Sequence, residues 1–299
     1  MRYLFVISSV AILLACQPQK QPQLASQHPS PMVDYTRPHH RVNLDSIADS
    51  VVQINLSPQV SGTLYLPPKW QDTDSLSLLM HFHGDARVAQ DAVSQQQKPW
   101  LLVHFHWGNG SGAYRRPVSE LGAVVLLDSV KRAVQGVFPG QKFSGFYLSA
   151  WSAGYGAVRS LISQEEASRQ IKGILLMDGL HCSYVPEGKV LSEGGTLDSL
   201  QMQAFTRWAQ RAASGKKTFL ITHSAVFPGT YASTTETADY LLQGLDIPRQ
   251  SRLSEGPVGM QQTSVASKGN FQVWSFAGNT APDHVDHYHG MNAFLRAWP

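Results

Sequence analysis

Apolar and polar positions follow two rhythms along this chain. Residues 75–83 (SLSLLMHFH), 100–106 (WLLVHFH), 143–148, 171–177, 218–222 and 271–276 are apolar almost throughout. Runs of this kind read as strands covered on both faces, the pattern of a mostly parallel sheet. Residues 51–56 and 62–66 alternate in part and are joined by Ser57-Pro58-Gln59, which suits an antiparallel pair at a sheet edge. Helical spacing falls between the strands. Residues 153–162 follow the strand at 143–148. Residues 197–213 set Leu197, Leu200, Ala204, Phe205, Trp208 and Ala212 on one face, with Thr196 placed to cap the start and Gly215 the end. Ser233-Thr234-Thr235-Glu236 is a capping box that opens a helix through Leu242. Thr280-Ala281-Pro282-Asp283 opens a last helix carrying Val285, Tyr288, Met291, Leu295 and Trp298. The alternation predicts a three-layer α/β domain over residues 49–299, a mostly parallel central sheet with helices on both faces.

Composition narrows the function classes. The 299 residues carry 24 Lys and Arg against 21 Asp and Glu, a net charge of +3, and no basic run, which excludes a dedicated nucleic-acid binder. Two cysteines, Cys16 and Cys182, cannot build a disulfide framework or a Cys-rich zinc module. Twelve histidines are a surplus that needs a cause.

Met1-Arg2 followed by the apolar run 3–15 is too short to span a bilayer as a mature helix, and it ends Leu13-Leu14-Ala15-Cys16. This segment resembles a bacterial lipoprotein signal peptide (residues 1–15). The resemblance implies that Cys16 is lipidated and anchors the protein to a cell-envelope membrane. Gln17, where some such proteins carry Asp, points to the periplasmic face of the outer membrane. Residues 16–48 read as a flexible tether, since 17–38 hold five Gln and five Pro with almost no apolar periodicity. With Cys16 lipidated, Cys182 is a free thiol, expected to be a small buried residue.

The segment FYLSAWSAGYGAVRSLI, residues 146–162, carries the chemistry. A strand runs directly into Ala150-Trp151-Ser152-Ala153-Gly154 and then into a helix. Small residues two before and two after a serine are what a sharp strand-to-helix turn demands. On this segment the chain resembles the α/β-hydrolase superfamily of serine esterases and lipases, over roughly residues 50–299, with Ala150 where the usual pattern has Gly. The resemblance implies that Ser152 is a nucleophile, with the Ala153 N–H in the oxyanion hole. It implies a second donor from the loop after the strand ending His83-Gly84-Asp85, that is, Gly84 or Asp85. It implies the chain order Ser, acid, His. Asp178 stands at a strand's C-terminal edge and is the preferred acid, with Glu236 as alternative. Among His284, His287 and His289, His284 comes first after the final strand and is the preferred base, with His287 as alternative.

The expected activity is hydrolysis of an ester, thioester or amide of a small-molecule acyl substrate through a Ser-His-Asp triad, with no cofactor. Two rival readings exist. His81 and His83 share one face of a strand, as do His104 and His106, so a metal-dependent hydrolase could use His287 with two strand histidines, although no H-E-x-x-H signature supports it. A non-catalytic lipoprotein could keep the fold as a binding or scaffold module. The glycine-rich loop 107–116 is expected near the site mouth, where Arg115 and Arg116 could meet an acidic group. The segment between Asp178 and Thr218 is the natural cap, with Phe205 and Trp208 expected in core packing.

Overall fold

The computed structural model describes residues 51–66, 75–98, 100–140 and 142–298. The signal segment, Cys16 and the tether lie outside these described residues. In chain order the elements are β1 (Val51–Ser57), β2 (Val60–Tyr65), β3 (Ser75–Phe82), α1 (Ala86–Ser94), β4 (Trp100–Phe105), α2 (Ser111–Leu121), α3 (Ala123–Val137) and β5 (Lys142–Trp151). They continue with α4 (Tyr155–Ser163), α5 (Glu165–Gln170), β6 (Ile171–Met177), β7 (Tyr184–Val185), β8 (Thr196–Leu197), α6 (Ser199–Ala213) and β9 (Thr218–His223). The chain ends with α7 (Thr234–Gly244), β10 (Gln250–Glu255), β11 (Gln261–Lys268), β12 (Phe271–Phe276), α8 (Ala281–His289) and α9 (Met291–Ala297).

Ten strands form one sheet in the order β1-β2-β4-β3-β5-β6-β9-β12-β11-β10, and β7 and β8 form a separate antiparallel ribbon. The six central strands from β4 to β12 are parallel, with antiparallel pairs at both edges. Side chains alternate across the sheet as a two-residue period requires. Leu78, Met80, Leu101, Val103, Ile174 and Leu176 join a core with α2, α3, α4, α6 and α7. Leu79, Leu102, Leu175 and Trp151 join a second core with α1, α8 and α9. This is the three-layer α/β arrangement, a mostly parallel sheet with helices on both faces, expected from the sequence.

Four local expectations change. The cap of α6 is Asp198, whose carboxylate accepts from the Leu200 and Gln201 N–H groups; Thr196 instead pairs in β8. The last helix is two, α8 and α9, broken at Gly290. Half of the glycine-rich loop is helical, because α2 starts at Ser111 and contains Arg115 and Arg116. The 178–218 segment is less a lid than a sheet-covering layer, since α6 buries Phe205 and Trp208 in the core.

Candidate active site

Strand β5 delivers the chain into a turn that only small neighbours permit. Ser152 takes a left-handed conformation, φ 47, which costs a non-glycine residue energy and is typical of functional turns. Ala150 is fully buried before it. After it, a Cβ on Gly154 would collide with the Phe82 carbonyl at the end of β3, so glycine is required there. Gly179 presses against the Ser152 backbone and is constrained for the same reason. Trp151 pairs in register with Met177, so Ser152 leaves β5 beside the point where Asp178 leaves β6.

Asp178 is also left-handed, φ 43, and buried. Its Oδ2 lies 2.7 Å from His284 Nδ1 and accepts the Ser224 hydroxyl at 2.6 Å, while Oδ1 accepts the Ser224 N–H at 3.0 Å. Burial alone would raise this carboxyl. The His287 and His284 imidazoles and the bonds from His284 and Ser224 outweigh it and hold Asp178 well below the usual carboxylate range. His284 is fixed from a second side by Trp151. The indole N–H donates to the His284 carbonyl at 3.0 Å, and the two rings stack with centroids 4.9 Å apart.

The alternatives are placed elsewhere. His287 is fully buried, its Nδ1 2.8 Å from Thr222 Oγ1 and its ring edge-on to Phe276. Glu236 accepts from Ser233 and from the Tyr184 hydroxyl and meets no histidine. Gly84 and Asp85 do not line the cavity into which Ser152 opens. The His83 N–H is taken by the Phe105 carbonyl at 2.9 Å, and the chain turns left-handed there, φ 80. The loop therefore swings towards α8, where the Tyr288 ring covers Gly84 and its hydroxyl donates to the Asp85 carbonyl at 2.6 Å. Asp85 caps α1 and pairs with Arg87. Both line a separate depression with His104 and His106.

Ser152 and Ala153 open into a cavity of about 950 Å³ that reaches from the start of α2, at Asn109 and Gly110, to Tyr155, His181 and Tyr231. Cys182 borders it as a free, buried thiol, and burial pushes its pKa up to about 12, so it stays protonated.

The strand histidines form a different structure. His81 Nδ1 lies 2.8 Å from Ser149 Oγ and Nε2 lies 2.8 Å from the His83 carbonyl; His83 Nδ1 lies 2.7 Å from the Tyr114 hydroxyl. His81 stacks on His104 and Tyr288, and His83 on His106 and Trp151. Burial, reinforced by neighbouring imidazoles, lowers His83 to about 3 and His104 to about 4, and places His81 well below its ordinary value. Among the described residues no three His, Cys, Asp or Glu side chains converge as a metal-binding group, so His287 and the strand histidines are not brought together.

Three functional contributors escape the sequence reading. Ser224 follows β9 and supplies the two donors that grip Asp178 from the neighbouring strand. Trp151, inside the elbow motif itself, carries the His284 ring. Arg159, one turn into α4, projects into the cavity. Ser224 alone has a signal, a hydroxyl residue just after the strand read at 218–222.

No protein-family model matches the chain, and no curated protein matches it. Among solved structures, Est1E from Butyrivibrio proteoclasticus is 11% identical with TM-score 0.41, over 83% of this chain and 98% of its own. The Pyrococcus furiosus esterase Pf2001 is 10% identical with TM-score 0.45, over 85% and 93%. An S-formylglutathione hydrolase from Agrobacterium tumefaciens is 13% identical with TM-score 0.45, over 84% and 95%. These are distant, loose likenesses.

Proposed function

We propose that this protein is a serine hydrolase that cleaves ester bonds through an acyl-enzyme intermediate. The observation that carries the reading is the buried Asp178–His284 hydrogen bond beside the left-handed Ser152. Ser152 Oγ attacks the ester carbonyl carbon while His284 Nε2 takes its proton. Asp178 holds Nδ1–H and balances the imidazolium charge. The tetrahedral oxyanion is met by the Ala153 N–H, whose position at a helix start leaves it without an intrahelical acceptor. The Asn109–Gly112 turn lines the same cavity as Ser152, and on that ground we propose that it supplies the second donor in place of Gly84 and Asp85. Collapse of the intermediate expels the alcohol, which receives the proton from His284. Water, deprotonated by the same imidazole, then attacks the acyl-enzyme carbonyl; the acid leaves and Ser152 recovers its proton.

The test is turnover of short-chain p-nitrophenyl esters. Ser152→Ala is expected to lower kcat by at least about 10⁴-fold while the circular dichroism spectrum and thermal midpoint stay near wild type. A folded Ser152→Ala protein with wild-type turnover overturns the reading.

The body is proposed to be tethered to a bacterial envelope membrane through a lipid on Cys16, on the strength of the sequence ending Leu13-Leu14-Ala15-Cys16. Metabolic palmitate labelling that disappears in Cys16→Ser is the expected result, and an unlabelled wild-type protein contradicts it.

A further inference from the structure

The cavity above Ser152 is charged on one side only. Arg115 from α2 and Arg159 from α4 line it, and among the described residues no Asp or Glu does. Few of the lining side chains are aliphatic. Beyond Ala153 and Cys182 the apolar lining amounts to Leu200, whose side chain stands 80% exposed, and the two tyrosines, while most remaining positions are hydroxyls, amides and glycines. A long alkyl chain would bury little apolar surface here, so such a cavity gives it little driving force. Phe205 and Trp208, the residues that could have greased an acyl site, are spent in the core.

Arg159 is held ready. Its guanidinium lies 5.2 Å from the Tyr155 ring centroid, and Nη1 donates to Gln201 Oε1 at 3.3 Å and to the His181 carbonyl at 3.5 Å. Gln201 is fixed in turn, because its amide donates to Asp198 and to Ser183 Oγ. These bonds use one nitrogen of Arg159, and Nε and Nη2 have no acceptor among the described residues. That is the fork geometry that suits a carboxylate. Arg115 is exposed and enters no ion pair among the described residues. The first turn of α2, without a side-chain cap, adds the partial positive charge of a helix start at Ser111 and Gly112.

We infer that the ester turned over at Ser152 carries a carboxylate, held by Arg159 and Arg115 in the cavity into which the serine opens. This rests on the serine-hydrolase reading, since it assigns the cavity's occupant as substrate. The charge sits on the acyl side or on the alcohol side, and both place it on the same two guanidinium groups.

The test pairs isosteric esters that differ in charge. On the acyl side these are p-nitrophenyl hydrogen adipate and p-nitrophenyl methyl adipate. On the alcohol side they are the butyrate esters of p-hydroxybenzoate and of methyl p-hydroxybenzoate. At low salt the charged member of at least one pair is expected to have a kcat/KM about tenfold or more above its neutral partner. That ratio should fall about tenfold in Arg159→Gln, recover in part in Arg159→Lys, and shrink as salt screens the exposed Arg115. Arg252→Gln, an exposed arginine of the β10 edge, should keep the wild-type ratio. Binding of adipate and of dimethyl adipate to Ser152→Ala, measured by calorimetry, reads the same preference without turnover. Equal kcat/KM within both pairs, with no preference for adipate, overturns the inference and leaves the hydrolase reading standing. Adipate binding that is lost in Arg159→Gln, on a protein that turns over none of the esters, overturns the hydrolase reading and with it the assignment of an ester substrate, and leaves Arg159 as part of a carboxylate-binding site.

Discussion

Two groups of histidines meet on one shared indole, Trp151, and a single difference separates them. His284 stacks on Trp151 and meets a buried carboxylate, Asp178, at 2.7 Å. His83 stacks on the same indole, but its ring bonds to a tyrosine hydroxyl, and its neighbour His81 bonds to a serine hydroxyl and a backbone carbonyl. Burial penalises the imidazolium of the strand histidines. His284 differs in having a hydrogen-bonded carboxylate. The strand histidines have no such bond; burial and neighbouring imidazoles outweigh the opposing pull of Asp85 on His104 and drive them to the neutral form, His83 to about 3 and His104 to about 4. The lesson is that histidine abundance marks neither catalysis nor metal binding by itself. A hydrogen-bonded acid is what turns a buried imidazole into a base that can hold a proton during a reaction.

The contrast can be attacked at its centre first. Asp178→Asn removes the charge that distinguishes the two groups. It should lower kcat about 10⁴-fold on a short-chain ester, with the protein still folded, as loss of a triad carboxylate does elsewhere. Activity within tenfold of wild type would place the acid at another residue. Ser224→Ala is the next largest change. It removes the 2.6 Å hydroxyl bond to Asp178 Oδ2, a bond to a charged acceptor worth about 1.5–3 kcal/mol. A ten- to hundredfold fall in kcat with little change in KM is expected from steady-state kinetics. Trp151→Phe keeps a ring beneath His284 but loses the indole bond to its carbonyl, and a fall of about tenfold or less is expected.

The strand histidines should answer to pH through stability. The folded pKa values of His83, at about 3, and His104, at about 4, lie below the unfolded value near 6.5, as do those of His181 and His287 outside the strands, at about 4. Between about pH 4 and 6.5 the unfolded chain binds protons that the folded chain refuses. Stability therefore rises with pH across this window and is lost as pH falls through it. A shift of one unit corresponds to about 1.4 kcal/mol, so even one of these groups matters to a marginally stable fold. Thermal melts from pH 7 to pH 4 should show a steep decline. His104→Leu should shallow that decline while leaving ester turnover within about threefold of wild type. A flat melting profile, or a His104→Leu protein without activity, would blur the division between the two groups.

Much of the fold is legible in the sequence because its central strands are buried on both faces and are therefore apolar throughout. The elbow is legible because the turn at Ser152 tolerates only small side chains at 150 and 154. The β10–β11 hairpin is not, since its edge strand is exposed and polar, as in Gln250, Ser251 and Arg252, and leaves no apolar alternation to read. Helix α2 hides behind its glycines and Pro117, burying only Tyr114 and Val118. At the site, Asp178 and His284 are the preferred acid and base implied by the resemblance, and the structure brings them together. Spacing could not separate His284 from His287, one helical turn apart; the difference lies in their partners, a carboxylate for one and Thr222 for the other. The placing of Gly84 and Asp85 was out of reach, because it depends on the Phe105 carbonyl capturing the His83 N–H and on Tyr288 covering the loop, both long-range contacts.

The most direct measurement is the site of covalent capture by a fluorophosphonate, which phosphonylates an activated serine and releases fluoride. Intact mass and peptide mapping should find one adduct, on Ser152, absent in Ser152→Ala and much slowed in Asp178→Asn. A wild-type protein left unmodified while a control serine hydrolase reacts, or an adduct that persists in Ser152→Ala, contradicts the account.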